Sequence, residues 1–366
     1  IKGENVILVH GTENTYDFAE LWVILLALRE AGAHTVTLIN TYEGYSRQDK
    51  EFNRGEAISA ETMLKTIDAL VDNHMGLNVH YADYSGRVED TTNRDAFVNK
   101  YDVYNLNAFV QLAENLFDRI DRIVKIVRRA GIENLTDELE KHPLLLVGPD
   151  DGAFGYVKEA AGLLKKYIQR QYGIDIPVNA GYMDKKRTGS KKVEVHGMVL
   201  GEDGNPITTV SNIKDCWVII LDDEISWGTT VMAATYALVR EVGVDWSKIA
   251  IAAVHGKLAG GLEPFKTGRS GEEIIEAMRQ GIHIEPAKEY INENARIMPP
   301  PVVIVTNSVK PPDNFPPEQI VSIGPIIAHA AKAFVGKKAP LEKLVNASKV
   351  RINSIIENVK GLADRI

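Results

Sequence analysis

Cysteine is almost absent from this sequence, which has a single one, Cys216, among 366 residues. One cysteine cannot form an intrachain disulfide, and proteins without disulfides are typical of a reducing cytoplasm. Cys216 opens an apolar segment, so we expect its side chain to be a small, buried hydrophobe. The scarcity of cysteine therefore excludes a disulfide-stabilised secreted domain and favours a cytoplasmic location.

Positive charge and long apolar runs are also scarce. Lysine and arginine number 42 against 50 acidic residues, giving a formal net charge of −8, so no basic field attracts a nucleic acid backbone. The apolar run Leu21–Leu28 is far too short to span a bilayer, and no signal segment precedes it. The Walker A, G-x-G-x-x-G and H-E-x-x-H patterns of NTPases, dinucleotide-binding proteins and zinc proteases are missing. We expect neither a nucleic acid nor a membrane partner.

The segment Ile213–Val242 contains the pattern of residues most typical of a ligand-binding site. The apolar, β-branched run Trp217–Leu221 predicts a strand that is buried on both faces of a parallel sheet. Two adjacent carboxylates, Asp222 and Asp223, follow this strand, and Glu224–Gly228 is predicted to be a short turn. Carboxylates of this kind suit ribose hydroxyls or a hydrated Mg²⁺.

A helix is predicted to begin at Thr229 and Thr230, directly after the turn. The free amides at a helix N-terminus favour an anion such as a phosphate. Together with the carboxylates, they predict a site for a sugar phosphate. The alternative is that Asp222 and Asp223 only end a strand and that Thr229 only caps a helix.

The rest of the chain predicts an α/β fold with mostly parallel strands, because strand and helix patterns alternate. Further strands are predicted at Val6–His10, Thr35–Ile39, Gly76–His80, Leu144–Gly148, Val178–Met183, Val193–Leu200, Ile249–His255 and Val302–Thr306. Helices are predicted at Tyr16–Ala31, from Ser59 to about Asn73, and at Leu106–Ala130, Phe154–Gln169, Pro325–Phe334 and Leu341–Ala363. Gly260–Pro301 is predicted to be an insertion.

Polar clusters follow several of these predicted strands, at the edge where ligands of open α/β sheets bind. They are Arg47-Gln48-Asp49, His80, Asp150-Asp151 and Asp222-Asp223. A strongly basic segment, Asp184–Lys192, is predicted to be a flexible loop after the strand Val178–Met183. It is either a solvated surface hairpin or a mobile lid that neutralises a transferring polyphosphate.

These motifs resemble those of the ribose-phosphate pyrophosphokinase (PRPP synthetase) family. Gly44–Lys50, which reads GYSRQDK, is similar to the family's G-Y-A-R-Q-D-R segment, and it is followed by the family's I-T/S-A at Ile58-Ser59-Ala60. Four more segments are similar to family motifs. Asn78–His80 is similar to D-L-H, and Pro149–Gly152 is similar to S-P-D-x-G-G. Asp184–Arg187 is similar to D-K-R-R, and Leu221–Thr230 is similar to V-D-D-x-I-D-T-G-G-T. The resemblance covers most of the chain.

The resemblance implies two type I phosphoribosyltransferase-like domains, each a mostly parallel sheet flanked by helices. We expect an N-terminal domain with the ATP contacts at 1–143, a C-terminal domain with the ribose 5-phosphate site at 144–340, and a final helix at 341–366. The implied reaction transfers the diphosphoryl group of MgATP to the 1-hydroxyl of ribose 5-phosphate, giving PRPP and AMP. The family also implies a homo-oligomer built from dimers, up to a hexamer.

The resemblance also implies roles for individual residues. The expected ATP-binding residues are Arg47, Gln48, Asp49 and His80, and the expected Mg²⁺ ligands are His80 and Asp150. Lys185 and Arg187 are expected to stabilise the transferring diphosphate as catalytic residues. The expected ribose 5-phosphate residues are Asp222, Asp223, Ser226, Trp227, Gly228, Thr229 and Thr230.

The sequence departs from the family pattern at several places. Ser226, Trp227 and Thr229 replace the family's Asp, Thr and Gly, and a β-branched residue resists positive φ, so we expect an altered loop shape. The sequence begins at the family's V-R-G-x-D-V strand, here Ile1–Val6, without the preceding F-x-D-G-E adenine motif. Either the sequence is truncated or adenine is held differently. A non-catalytic regulatory subunit and a PRPP-using phosphoribosyltransferase are the alternative functions.

Overall fold

The computed structural model describes residues 1–51, 54–82, 85–88, 100–109, 111–117, 139–187, 193–207, 212–259, 302–313 and 315–335. The chain divides into two compact units. The first comprises Ile1–Ala108 and Ser322–Ile366, and the second comprises Phe109–Val321. Each unit is built on one mostly parallel sheet with helices, so the predicted α/β class and the mostly parallel sheets are confirmed.

The first unit contains a five-stranded sheet in the order β1-β2-β3-β5-β4. Its strands are β1 (Asn5–His10), β2 (Thr35–Asn40), β3 (Asn73–Leu77), β4 (Gly86–Arg87) and β5 (Val103–Leu106). Neighbouring strands are parallel except β4, which is antiparallel to β5. The helices are α1 (Thr15–Glu30) and α2 (Ser59–Asp68).

Helix α1 starts where the sequence supplies a complete capping box. The Asn14 side chain accepts hydrogen bonds from the first-turn amides, and the Asp17 side chain accepts one from the Asn14 N–H at 3.0 Å. The predicted inner face is buried at four of its five positions, while Trp22 is half-buried. This face packs on the sheet in a cluster that includes Val36 and Leu38.

The second unit contains a seven-stranded sheet in the order β12-β11-β10-β9-β6-β7-β8. Its strands are β6 (Leu144–Gly148), β7 (Val178–Arg187), β8 (Val193–Leu200), β9 (Trp217–Ile225), β10 (Ile249–Gly256), β11 (Val302–Thr306) and β12 (Ile320–Val321). Only the β7–β8 pair is antiparallel. The helices are α3 (Phe154–Tyr172) and α4 (Thr229–Ala237), and a π-helical turn, Leu238–Val242, continues α4.

The last described helix returns to the first unit. Helix α5 (Gly324–Val335) places Ala330 in a buried cluster with Ile39 of β2 and Met75 of β3. The helix predicted at Pro325–Phe334 is thus confirmed. The helix predicted at Leu341–Ala363 and the insertion predicted at Gly260–Pro301 lie outside the described residues.

Three predicted boundaries in the first unit need correction. The strand predicted at Gly76–His80 is Asn73–Leu77, so His80 lies in the following turn. The helix predicted from Leu106 overlaps β5, whose residues 103–106 pair with β3. Helix α2 ends at Asp68 instead of about Asn73, since β3 begins there.

The compact units and the expected domains do not share all of their bounds. The second compact unit begins at Phe109 rather than at the expected residue 144, and the ring of Phe109 packs on Tyr156 of α3 at 5.3 Å. The first unit also takes in α5, which the expected division assigned to the C-terminal domain. Among the described residues, no helix has both the length and the apolar character needed to cross a membrane.

Candidate active site

The acid pair, Asp222 and Asp223, lies on a strand rather than after one. The sequence predicted that the central strand ends at Leu221, but β9 continues through Ile225 because it goes on pairing with β10: Asp222 pairs with Ala253 and Glu224 with His255. The Asp222 and Asp223 side chains are half-buried. Each accepts a hydrogen bond from the next backbone amide, at 2.9 and 2.8 Å. The carboxylates are therefore fixed by the sheet.

The loop after β9 is short and ends in a helix, as predicted. Gly228 has φ 79°, the left-handed conformation that glycine adopts without strain, and its carbonyl accepts the Met232 N–H at 3.0 Å. Thr229 and Thr230 are the first two residues of α4. Positive φ is required here at Gly228 and not at Thr229, so the threonine that replaces the family's glycine fits a helical position.

A neighbouring segment supports this loop. The N–H groups of Leu258 and Ala259 donate to the carbonyl oxygens of Ile225 and Ser226, at 3.0 and 2.8 Å. Leu258 is buried and has φ 46°, an uncommon conformation for leucine. The Trp227 side chain, in contrast, is 40% exposed. Backbone hydrogen bonds thus fix the start of the loop at Ile225 and Ser226, while Trp227 is open to solvent.

A buried polar cluster that the sequence did not reveal lies at the ends of β10 and β11, next to β9. His255, at the end of β10, has its Nδ1 2.8 Å from Ser308 Oγ. Ser308 and Thr306 both donate to the Val254 carbonyl, at 3.0 and 2.7 Å. These partners are about fifty residues apart in the sequence, so only their strand pairing could have disclosed the cluster.

The two expected catalytic residues lie on a strand and not in a loop. Strand β7 extends through Arg187, and the backbone of Lys185 pairs with Val195 and that of Arg187 with Val193. A register shift at Met183/Asp184 precedes them, a feature that bends and twists a strand. The rest of the basic segment, 188–192, lies outside the described residues.

Asp150 follows β6 at the same sheet edge. It is half-buried and precedes the short 3₁₀ helix Asp151–Ala153 that leads into α3. Strands β6, β7, β9 and β10 are mutually parallel, so their carboxyl ends share one edge. The second unit therefore gathers Asp150, the basic end of β7 and the β9 loop at the edge where α/β ligands bind.

The first unit holds the other expected site residues at the carboxyl ends of β2 and β3. The Gly44 N–H donates to Thr12 Oγ1 at 3.0 Å, and the Gln48 carbonyl accepts the Ala60 N–H at 3.2 Å. Arg47 is exposed, Gln48 is half-buried and Asp49 is buried. The segment is thus fixed at both ends with the Arg47 side chain facing solvent.

The turn after β3 carries half-buried His80. Asn78 has φ 43°, and its Oδ1 accepts the Ala108 N–H at 2.6 Å. The Val79 N–H donates to Asn105 Oδ1 at 3.0 Å. Two asparagine side chains therefore hold the turn against the chain that follows β5.

Between these two segments lies a buried cluster that the sequence analysis missed. Tyr81 donates its hydroxyl to Glu43 Oε2 at 2.6 Å, and His74 Nε2 lies 2.9 Å from Glu43 Oε1. The His74–Glu43 distance is that of an ion pair, although the two groups are not aligned as a hydrogen bond. The side chains of His74 and Glu43 are only 3% and 7% exposed.

In the described part of the chain, no three His, Cys, Asp or Glu side chains form a cluster for a metal ion. Mg²⁺ does not need one, because it is usually held by one or two carboxylates together with substrate phosphates and waters. Asp150, a single half-buried carboxylate at the sheet edge, fits that pattern.

Comparison with protein families matches both units. Residues 1–70 match the N-terminal domain of ribose phosphate pyrophosphokinase, and residues 115–289 match the phosphoribosyl transferase domain. The chain is therefore similar to ribose-phosphate pyrophosphokinases in its N-terminal part and to phosphoribosyl transferases in its second part. The first match covers β1, β2 and the segment Gly44–Lys50.

Individual members of the ribose-phosphate pyrophosphokinase family align over most of the chain. The ribose-phosphate pyrophosphokinase of Methanobrevibacter smithii is 26% identical over 70% of this chain and 71% of its own. That of Thermoplasma acidophilum is 27% identical over 70% of this chain and 69% of its own. This identity is low, so the similarity is distant.

A solved structure shares the fold. Phosphoribosylpyrophosphate synthetase from Mycobacterium smegmatis superposes with a TM-score of 0.53 at 21% identity, covering 92% of this chain and 84% of its own. This likeness confirms the architecture of the ribose-phosphate pyrophosphokinase family. It does not assign the role of any residue in this chain.

Proposed function

We propose that this chain transfers the diphosphoryl group of MgATP to the 1-hydroxyl of ribose 5-phosphate, giving PRPP and AMP. The observation that carries the proposal is the alignment with ribose-phosphate pyrophosphokinases over about 70% of both chains. In this reaction the 1-hydroxyl oxygen bonds to the β-phosphorus, the bond from that phosphorus to the α-phosphate oxygen breaks, and the hydroxyl loses its proton. AMP is the leaving group.

The second unit supplies a suitable acceptor site. We assign ribose 5-phosphate to the loop after β9, where Asp222 and Asp223 face the ribose hydroxyls and the start of α4 receives the phosphate. The helix start is supported by the free amides at Thr229 and Thr230 and by the left-handed Gly228 before them. Ser226 and Trp227 complete the proposed loop, with serine as a hydrogen-bond donor where the family has an aspartate.

The first unit supplies the proposed ATP contacts. Arg47, Gln48 and Asp49 follow β2 and His80 follows β3, so they lie at the ends of adjacent parallel strands. The exposed Arg47 suits a phosphate, because its guanidinium offers several donors in a fixed plane. Adenine contacts are not assigned.

Charge neutralisation is the main requirement of this chemistry, since phosphoryl transfer depends on positioning and electrostatics more than on a covalent nucleophile. We assign it to Lys185 and Arg187 on β7. His80 in the first unit and Asp150 in the second are separate candidate ligands for Mg²⁺, which would neutralise further charge on the transferring group. We also propose a cytoplasmic, dimer-based homo-oligomer as the working form, with domains at 1–143 and 144–340 and a terminal helix at 341–366.

The test is a product assay on the purified full chain with ATP, Mg²⁺ and ribose 5-phosphate. We expect AMP and PRPP in equal amounts, with AMP formation abolished when ribose 5-phosphate is left out. Binding of MgATP without either product would instead favour a regulatory subunit, for which the altered residues Ser226 and Thr229 are the sequence support. Consumption of PRPP with a free base would indicate a phosphoribosyltransferase.

A further inference from the structure

One buried carboxylate touches both segments to which ATP contacts are assigned. Glu43 directly precedes the segment Gly44–Asp49, and its Oε2 accepts the hydroxyl hydrogen bond of Tyr81, which directly follows His80. The two residues are 38 positions apart in the chain. Glu43 therefore joins the end of β2 to the turn after β3.

The other oxygen of the same carboxylate faces β3. His74 Nε2 lies 2.9 Å from Glu43 Oε1, and both side chains are almost completely buried. Strand β3 makes room for this contact at Gly76, because a Cβ there would lie 2.7 Å from Glu43 Oε1 and 2.2 Å from a Val79 methyl. One carboxylate oxygen thus accepts the Tyr81 hydrogen bond, the other lies in close contact with His74, and residue 76 must be glycine for this packing.

A buried charge of this kind is weak evidence for stability, because the cost of removing it from water offsets most of the attraction to its partners. Such groups fix geometry instead when their partners are themselves held in place. The Tyr81 turn meets that condition, since Asn78 anchors it to Ala108 at 2.6 Å. On the other side, Thr12 anchors Gly44 at 3.0 Å.

We propose that Glu43 is a positioning residue that sets the spacing between the Gly44–Asp49 segment and the His80 turn, and thereby the affinity for MgATP. This inference rests on the proposed assignment of ATP to the first unit. Glu43 does not touch the reacting atoms in this proposal. It acts through its hydrogen bond to Tyr81 and its 2.9 Å contact with His74.

The test compares Glu43→Gln and Tyr81→Phe with the wild-type full chain. Both substitutions keep the size of the side chain while removing the charge or the hydroxyl donor. We expect the Kd for MgATP, measured by calorimetry, to rise about tenfold or more, as loss of a hydrogen bond to a charged group predicts. The KM for ATP should rise in parallel, while the KM for ribose 5-phosphate should stay within about twofold.

The matched control is Asp72→Asn, in the same unit but at the opposite edge of the sheet. Asp72 is a carboxylate that accepts the Val36 N–H at 2.6 Å and pairs with Arg29 at 2.9 Å. We expect Asp72→Asn to lower the melting temperature without changing the Kd for MgATP. A merely structural role for Glu43 would make its variants behave like this control.

Tyr81→Phe keeps the inference testable if Glu43→Gln fails to fold, because it leaves the buried carboxylate and His74 in place. Unchanged MgATP binding in the folded variants would overturn the inference alone. Wild-type protein that binds MgATP but makes no PRPP would contradict the proposed reaction alone, since the effect on Kd is still measurable. Wild-type protein that binds no MgATP would contradict both.

Discussion

At the scale of single residues, burial determines the reactivity of the cysteine. Cys216 is completely buried, as its position before an apolar strand predicted, and this burial raises the pKa of its thiol to about 11. The thiolate is the reactive form, so the folded protein keeps the sulfur protonated and inert at neutral pH.

We expect Ellman's reagent to find no reactive thiol in the folded protein at pH 8. One thiol per chain should react once the protein is unfolded in urea, because an ordinary cysteine has a pKa of about 8.5 and is then partly ionised. Absorbance of the released thionitrobenzoate measures both states. Rapid labelling of the folded chain would contradict the burial of Cys216.

A glycine in the proposed ATP segment is required by close packing. A Cβ at Gly44 would lie 2.3 Å from the Thr12 carbonyl oxygen and 2.9 Å from the Phe18 ring. We expect Gly44→Ala to lower the free energy of unfolding by about 1–3 kcal/mol through overpacking. Gly162→Ala, in α3, is the control: nothing lies within 4 Å of its Cβ position, and alanine should raise helix stability by about 0.5–1 kcal/mol. Urea denaturation measures both.

Residues close together in sequence were predictable, whereas residues joined across the sheet were not. The turn that ends at Gly228 and the threonines at the start of α4 follow from a local pattern of strand, turn and helix. The Glu43–Tyr81 bond depends on how β2 and β3 pair, and no local pattern contains that information.

At the scale of elements, strands with short, continuous apolar runs were predicted well, because a buried strand in a parallel sheet leaves that signature. Strands β6 and β11 have their predicted bounds. Strands that run on into polar residues were predicted too short. Charged residues continue β7 and β9 because pairing with β8 and β10 satisfies their backbone groups there, and a neighbouring strand cannot be seen from hydropathy.

The extension of β7 gives a prediction about catalysis. Lys185 and Lys186 are adjacent residues of β7 with the same charge, but only Lys185 is assigned to the transferring diphosphate. We expect Lys185→Ala to lower kcat by at least about 100-fold, as removal of a charge that stabilises the transition state does. Lys186→Ala should retain activity within a few-fold. Equal loss in both variants would indicate general electrostatics, and unchanged turnover in Lys185→Ala would remove β7 from the mechanism.

At the scale of the whole molecule, the first unit is completed by residues from the far end of the chain. Helix α5 places Ala330 in the cluster of Ile39 and Met75, next to half-buried Ile327. The sequence predicted the helix but not its destination, because an apolar helix face does not specify which sheet it covers.

We expect Ala330→Asp to destabilise the first unit by more than about 3 kcal/mol, since it buries an unpaired charge. Ala328→Asp is the control, because Ala328 is on the same helix and exposed. Its melting curve should match that of the wild type to within a few degrees. Differential scanning calorimetry of the three proteins distinguishes a disrupted core from a weakened helix.

The position of α5 also determines the order in which the protein can mature during translation. Residues 324–335 leave the ribosome only after both sheets have been synthesised. Domains otherwise tend to fold from the N-terminus as they emerge. In this protein the face of β2 and β3 that α5 covers remains exposed until then, so the sheet that is translated first is the last to acquire a complete core.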